Sequence, residues 1–191
     1  QFRFPLEYGS QKPPTAQHTA TAAGAFFIGR GEGIARVKSV CIGRINDGGV
    51  TDANNLGAAM APAAADTILR YFRESGASPK DFDAIVTGDL GKEGASILCE
   101  LLLSEGLDIR DQHKDCGVLI YDIERQDKHA GGSGCGCSAA VLASLFIPQL
   151  ERGEIRDILA IGTGAMMSPA SIQQGQSIPA IAHLIRLSHE N

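Results

Sequence analysis

The residues best suited to chemistry cluster in one short stretch, Gly131-Gly132-Ser133-Gly134-Cys135-Gly136-Cys137-Ser138. Glycines let a backbone approach a bound molecule closely. The stretch directly precedes an apolar segment of helical character, and a helix start offers unpaired N–H groups and the positive end of a dipole. Gly132, Ser133, Gly134 and Cys135 therefore form a candidate cradle for an anion, either a phosphate or a carboxylate. The plainer reading is a tight turn between packed layers, using glycine because nothing larger fits.

Cys135 and Cys137 admit sharper readings. A thiol at a helix N-terminus can be acidified into a nucleophile. Together with His129 the two cysteines offer metal-ligating atoms, but zinc takes four ligands, usually with Cys-x2-Cys spacing, so no metal site is expected. Packing as small buried residues is the third reading. His129 and Asp89 stand at the edges of expected elements, where α/β proteins place their sites. They form an acid/base pair if the fold brings their loops together; otherwise His129 is a solvated histidine on a polar loop. His183 reads as a core or interface histidine, and His18, His113 and His189 stand in uninformative context. Asp66, Glu100 and Glu151 read as solvated helix charges.

These residues must be held by regular elements, and the pattern supplies them. Residues 5–18 are polar and rich in proline, a loop leading in. Residues 19–28 are small and β-compatible, and Gly29 to Gly33 break them. Val37 to Gly43 is a strand candidate by β-branched content. Between Asn54 and Gly76, Ala61, Ala64, Ala65, Ile68, Leu69 and Phe72 recur at three- and four-residue spacing, predicting a helix with Pro62 in its first turn and Gly76 as its stop. A strand is expected at 83–87, then a helix to Gly106 with Ile97, Leu98, Leu101 and Leu102 facing inward. A further strand is expected at 117–121. A third helix, 138–152, is apolar nearly all round, which predicts burial on every side, with Pro148 kinking it or ending its regular part. Strands at 157–164 and 181–187 end the chain. This alternation predicts an α/β fold built on a mixed, mostly parallel five-stranded sheet with helices on both faces. The loops 131–137 and 165–177 and Asp89 then converge at one sheet edge.

Composition sets the outer bounds. The chain has 191 residues, 43% of them hydrophobic, and a formal net charge of -5. It carries enough apolar matter for a core, which excludes global disorder. Its mild acidity argues against nucleic acid as a partner. No apolar run reaches the roughly 18–20 residues of a spanning helix. The 23 glycines and absent tryptophan suggest pockets built from backbone rather than from aromatic rings. Five cysteines, an odd number, read as reduced thiols, with Cys41 and Cys99 buried in apolar runs. The opening Gln1-Phe2-Arg3-Phe4-Pro5, without a methionine, reads like the interior of a longer protein.

Several segments resemble known proteins. Leu56-Gly57-Ala58-Ala59-Met60-Ala61-Pro62, the helix after it, Phe82 to Ile85 and Gly88-Asp89-Leu90-Gly91 resemble the carboxy-terminal half of thiolase-fold proteins. The Gly-rich loop matches the position of the thiolase Gly-His-Pro loop, and Ala160-Ile161-Gly162-Thr163-Gly164 that of a Cys-Ile-Gly-Gly-Gly strand end. Closer still, Pro13 to Gln17, Met60 to Asp66, His129 to Cys137 and Gln174 to Pro179 resemble the stage V sporulation protein AD family of spore-forming bacteria, over essentially the whole chain.

The resemblance implies one half of a layered α/β/α/β/α arrangement with helix 138–152 in its central layer. Residues 1–50 would then end a preceding half and its linker, and 51–191 form the carboxy-terminal half. It also implies binding of dipicolinic acid, with or without calcium, and a part in moving it into the developing spore. Other sporulation membrane proteins and a second copy of the chain are the implied partners. The implied location is the cytoplasm or the face of the spore inner membrane. The residues depart from working thiolases: Gly131 or Gly132 stands for the catalytic His, Ala160 for the late Cys, and Gly88 for the Asn, leaving Asp89 as the acid. A binder without cofactor or catalytic residues is therefore the reading, with Asp89, His129, Gly132, Ser133, Gly134, Cys135 and Ser168 as ligand contacts. The alternative is an acyltransferase of thiolase or ketoacyl-synthase type whose nucleophile lies in an absent amino-terminal half.

Overall fold

A computed structural model of the chain describes residues 13–190. The expectation of a proline-rich entry falls partly outside this range, at residues 5–12. Five strands form one sheet in the order β2 (Ala35–Cys41), β7 (Ala180–His189), β6 (Asp157–Ala165), β3 (Ala84–Thr87) and β4 (His113–Asp115). The pairs β3–β4 and β3–β6 are parallel, whereas β6–β7 and β2–β7 are antiparallel. The fold is thus the expected α/β class with a mixed sheet. A separate two-stranded parallel pair joins β1 (His18–Thr19) to β5 (Gly132–Ser133) and fastens the Gly-rich loop to the chain's entry.

Two helices cover one face of the sheet. In α1 (Leu56–Ser75) the Asn55 side chain accepts the Ala58 N–H, and Gly76, in the left-handed region at φ 66°, closes the end. Both caps satisfy backbone groups that a helix leaves unpaired. Pro62 lies inside the helix rather than in its first turn as expected, so its missing N–H costs a ladder bond. In α2 (Gly91–Ser104) Leu98 and Leu102 are buried, while Leu101, expected to face inward, is exposed. The two helices touch through glycine: a Cβ on Gly94 would stand 2.7 Å from the Gly57 Cα, so only bare backbone fits the crossing. Ile68, Phe72, Leu98 and Leu102 join Ile85, Leu159 and Leu184 in the core of this face.

The opposite face is covered by one rod: α4 (Cys137–Val141), a π-helical turn at Leu142–Phe146, and α5 (Ile147–Glu151). The widened turn sits just ahead of Pro148, which has no N–H to give and whose ring crowds the preceding turn. Cys137, Val141, Phe146 and Leu150 are buried against Val86, Ile158 and Leu187. Leu145 remains 37% exposed. Burial on every side is therefore not met among the described residues, because the rod has the sheet on one flank only.

Two other expectations change. The stretch 117–121 is not a strand. Asp115 accepts the Val118 N–H and starts a helical turn, α3 (Cys116–Leu119), so the strand comes earlier as β4. A local cap here overrides the β-branched composition. Within 19–28 only Thr19 is in a strand, since most of the segment is exposed and finds no neighbour to pair with. Cys41 is buried, but Cys99 is only half-buried.

Candidate functional site

The loops at one end of the sheet enclose a cavity of about 600 Å³. The turn from β3 into α2 brings Asp89. The end of β5 brings Ser133, the loop after it Gly134 and Cys135, and α4 adds Ser138. The end of β6 brings Thr163, Gly164 and Ala165, followed by Met167 and by Pro169, Ile172 and Gln173 of α6 (Pro169–Gln173). Leu56 and Met60 of α1 and Thr19 of β1 complete the wall. The described lining combines apolar side chains with hydroxyls and the Asp89 carboxylate. The three expected segments, Asp89, 131–137 and 165–177, thus meet at one mouth.

Asp89 is held at three points. Its Oδ1 accepts the Thr163 hydroxyl at 2.8 Å, and its Oδ2 accepts the Gly134 N–H at 3.0 Å. The Thr163 oxygen in turn accepts the Asp89 N–H at 3.1 Å. The close approach of Thr163 needs Gly88, where a Cβ would stand 2.6 Å from the Thr163 Oγ1. This arrangement corrects one expectation. The Gly134 N–H, read as a donor for a ligand carboxylate, is already given to a carboxylate of the protein.

Behind the wall lie struts that sequence reasoning missed. Gln17 is buried, and its Nε2 donates to the carbonyls of Asp89 (2.8 Å) and Gly132 (2.7 Å), tying the two loops together. Asp115 is only 4% exposed. Its carboxylate accepts the N–H groups of Leu90 and Gly91, each at 2.9 Å, that of Val118 at 3.2 Å, and the Thr87 hydroxyl at 2.6 Å. Burial raises this carboxyl to about 6 despite those donors, with the nearby Asp89 charge adding to the rise. The Thr87 oxygen also meets the His113 Nε2 at 2.9 Å, and burial lowers His113 to about 4. No sequence signal marks Thr87, His113 or Asp115 as struts, since none lies in a Gly-rich segment, and Gln17 stands in the Pro13 to Gln17 run with nothing to single it out.

The remaining candidates fall in different places. Gly132 is buried below the cavity, where a Cβ would stand 2.5 Å from the Ile120 Cγ2, so it acts there as a packing glycine. His129 stands outside the cavity wall at φ 44°, its ring 3.8 Å from the Asp127 carboxylate. It is not paired with Asp89 as the acid/base reading required. Ser168 caps α6 by accepting the Ser171 N–H at 3.1 Å and does not line the cavity, although its neighbours Met167 and Pro169 do. Cys135 is exposed in the wall. Cys137 is fully buried and its thiol is pushed up to about 12, chiefly by desolvation, which contradicts the activated-nucleophile reading for that residue. Ala160 is buried in the middle of β6, in register with Val86. Among the described residues no three His, Cys, Asp or Glu side chains group as metal ligands.

The Stage V sporulation protein AD (SpoVAD) family profile matches residues 1–188. Stage V sporulation protein AD of Bacillus subtilis (strain 168) is 45% identical over 183 residues, covering 96% of this chain and 54% of that protein. The chain belongs to the stage V sporulation protein AD family, and it spans about half the length of the curated relative it matches. Among solved structures it is similar to OleA of Xanthomonas campestris with cerulenin, at 16% identity and a TM-score of 0.40, over 79% of this chain and 37% of that one. It is also similar to 3-oxoacyl-(acyl-carrier-protein) synthase III from Aquifex aeolicus, at 13% identity and a TM-score of 0.40, over 82% and 46% of the two chains.

Proposed function

We propose that this member of the stage V sporulation protein AD family binds dipicolinic acid as its calcium chelate, during uptake into the developing spore. The observation that carries the reading is a carboxylate in the cavity wall. Asp89 brings it there among the described lining residues. A bare pyridine dicarboxylate dianion cannot take a carboxylate as a partner, whereas a chelated cation can. A one-to-one calcium chelate is neutral and leaves the ion open to further oxygen ligands, and calcium favours six to eight of them. Asp89, which accepts the Thr163 hydroxyl, would supply one.

The rest of the wall suits a flat, partly apolar molecule. Leu56, Met60, Met167 and Ile172 offer a surface for a ring, while Ser133, Ser138 and Thr163 offer hydroxyls for carboxylate oxygens. Binding without turnover is the function proposed, with buried Cys137 held as the neutral thiol. Action beside membrane partners of the sporulating cell, from the cytoplasmic side, belongs to the same reading. No described helix is long and apolar enough to cross a membrane.

Calorimetry of the full-length protein with dipicolinate, with and without Ca²⁺, tests the proposal beside an acyl-CoA turnover assay. Binding that strengthens at least tenfold with calcium supports it. Equal affinity without calcium, or turnover of an acyl-CoA, would overturn it.

A further inference from the structure

We infer that Asp115 is a positioning residue for the cavity: by gathering the backbone of the β3–α2 turn, it holds the Asp89 carboxylate on the Gly134 N–H. The carboxylate lies beneath the cavity wall rather than in it. It has about four lone-pair sites, and four donors occupy them. Two of these donors, the N–H groups of Leu90 and Gly91, belong to the residues that directly follow Asp89. The other two fix Asp115 itself, Thr87 from the end of β3 and Val118 from the first turn of α3. Gly91 sits at φ 67°, with a Cβ position only 2.8 Å from the Gln17 Nε2, so the turn is clamped from above by Gln17 and from below by Asp115. Between the clamps the chain has little freedom to place Asp89 anywhere but against Gly134 and Thr163.

A consequence follows from the lone-pair count. A proton on Asp115 occupies one of the four acceptor sites, so one donor must let go. Thr87 is the donor that can, since its hydroxyl turns to the Lys114 carbonyl, 3.4 Å away, and its oxygen then accepts the new proton. The amides of Leu90 and Gly91 keep their acceptors, so the Asp89 turn stays gathered while Thr87 is present. The titratable groups facing Asp115 are His113 on its own strand, reached through Thr87, Asp89 on the turn, Cys116 on α3 and Cys137 on α4. Asp89 raises the Asp115 carboxyl further, and burial pushes both thiols up and keeps them neutral at the pH of interest.

The inference rests on the binding reading for its ligand arm, and the experiment separates the two. Hydrogen-exchange protection of peptides covering 88–92 and 132–136 is followed in the full-length protein between pH 5 and pH 8. Calcium dipicolinate affinity is followed over the same range. In the wild type, protection of both segments holds across the range. In Asp115→Asn both segments are at least tenfold less protected at pH 7.5. Loss of protection at 132–136 with unchanged affinity supports the positioning role and counts against the binding reading. Unchanged protection at 132–136 overturns the positioning role whatever the affinity does. Should Asp115→Asn not fold, Thr87→Val removes one donor and keeps the carboxylate. Without that hydroxyl a proton on Asp115 must displace an amide, so protection of the turn should fall towards pH 6 in this variant, and protection that holds overturns the inference.

Discussion

Asp89 shows how one side chain can be both a wall and a lock. Its oxygens tie the Gly-rich loop to the end of β6 through Gly134 and Thr163, and in the proposed complex the same carboxylate faces calcium. Asn keeps the shape and removes the charge, so we predict that Asp89→Asn abolishes the advantage of calcium in dipicolinate binding. The expected loss is about tenfold, or ~1.4 kcal/mol, read by calorimetry at fixed ionic strength. A retained calcium effect would place the ion elsewhere. Blocking the cavity by a bulky residue at Gly134 is a poor test, because Gly134 sits at φ 109° and any side chain there is strained. Cys135 lies in the same wall and carries a side chain already. Cys135→Phe should therefore cut affinity at least tenfold, with a change in the thermal midpoint of no more than about 2 °C. Full affinity in that variant would exclude the cavity as the ligand site.

At the scale of elements, the crossing of α1 and α2 governs the site from behind. Gly57 and Gly94 meet backbone to backbone, and a Cβ on Gly57 would run into the Leu90 carbonyl, within the turn that Asp115 gathers. Gly94→Ala should push the helices apart at a cost of about 1–3 kcal/mol, as overpacking does. Chemical denaturation measures the cost, and a variant as stable as wild type would mean that the crossing yields freely. This contact was not legible in the sequence, which shows glycines but not which of them touch. The elements themselves were largely legible where periodicity was strong: α1 and α2 and the strands at 84–87, 157–165 and 180–189 follow their apolar spacing. Periodicity failed where a single side chain decided the outcome. Asp115 turned an apolar run into a helical start, and Pro148 opened a π turn that no count of hydrophobic residues reveals.

Across the whole molecule, the segments that surround the cavity could be read from their glycines and from the order of elements, but the buried polar layer under them could not. Gln17, Thr87 and the pair His113 and Asp115 on β4 lie far apart in the chain, and only tertiary packing brings the three places together. Two of these residues are displaced in opposite directions and so pull the stability of the fold opposite ways with pH. Asp115 titrates near 6 in the folded chain against an ordinary 3.8, so the native state takes up its proton first, and its contribution to stability falls as pH rises from about 4 to 6. His113 is displaced the other way, to about 4 from 6.5. The unfolded chain takes up that proton first, so its contribution is present above 6.5 and is lost as pH falls towards 4. Shifts of roughly two pH units are each worth about 3 kcal/mol, and across this window they oppose one another. We predict a thermal midpoint that is nearly level between pH 4.5 and 6 in the wild type. His113→Gln removes one partner and should leave a midpoint that declines over the same interval. Asp115→Asn should leave one that climbs. Melts of the three proteins in matched buffers decide it: if His113→Gln stays level, the two groups do not offset each other, and the pH response of the fold has another source.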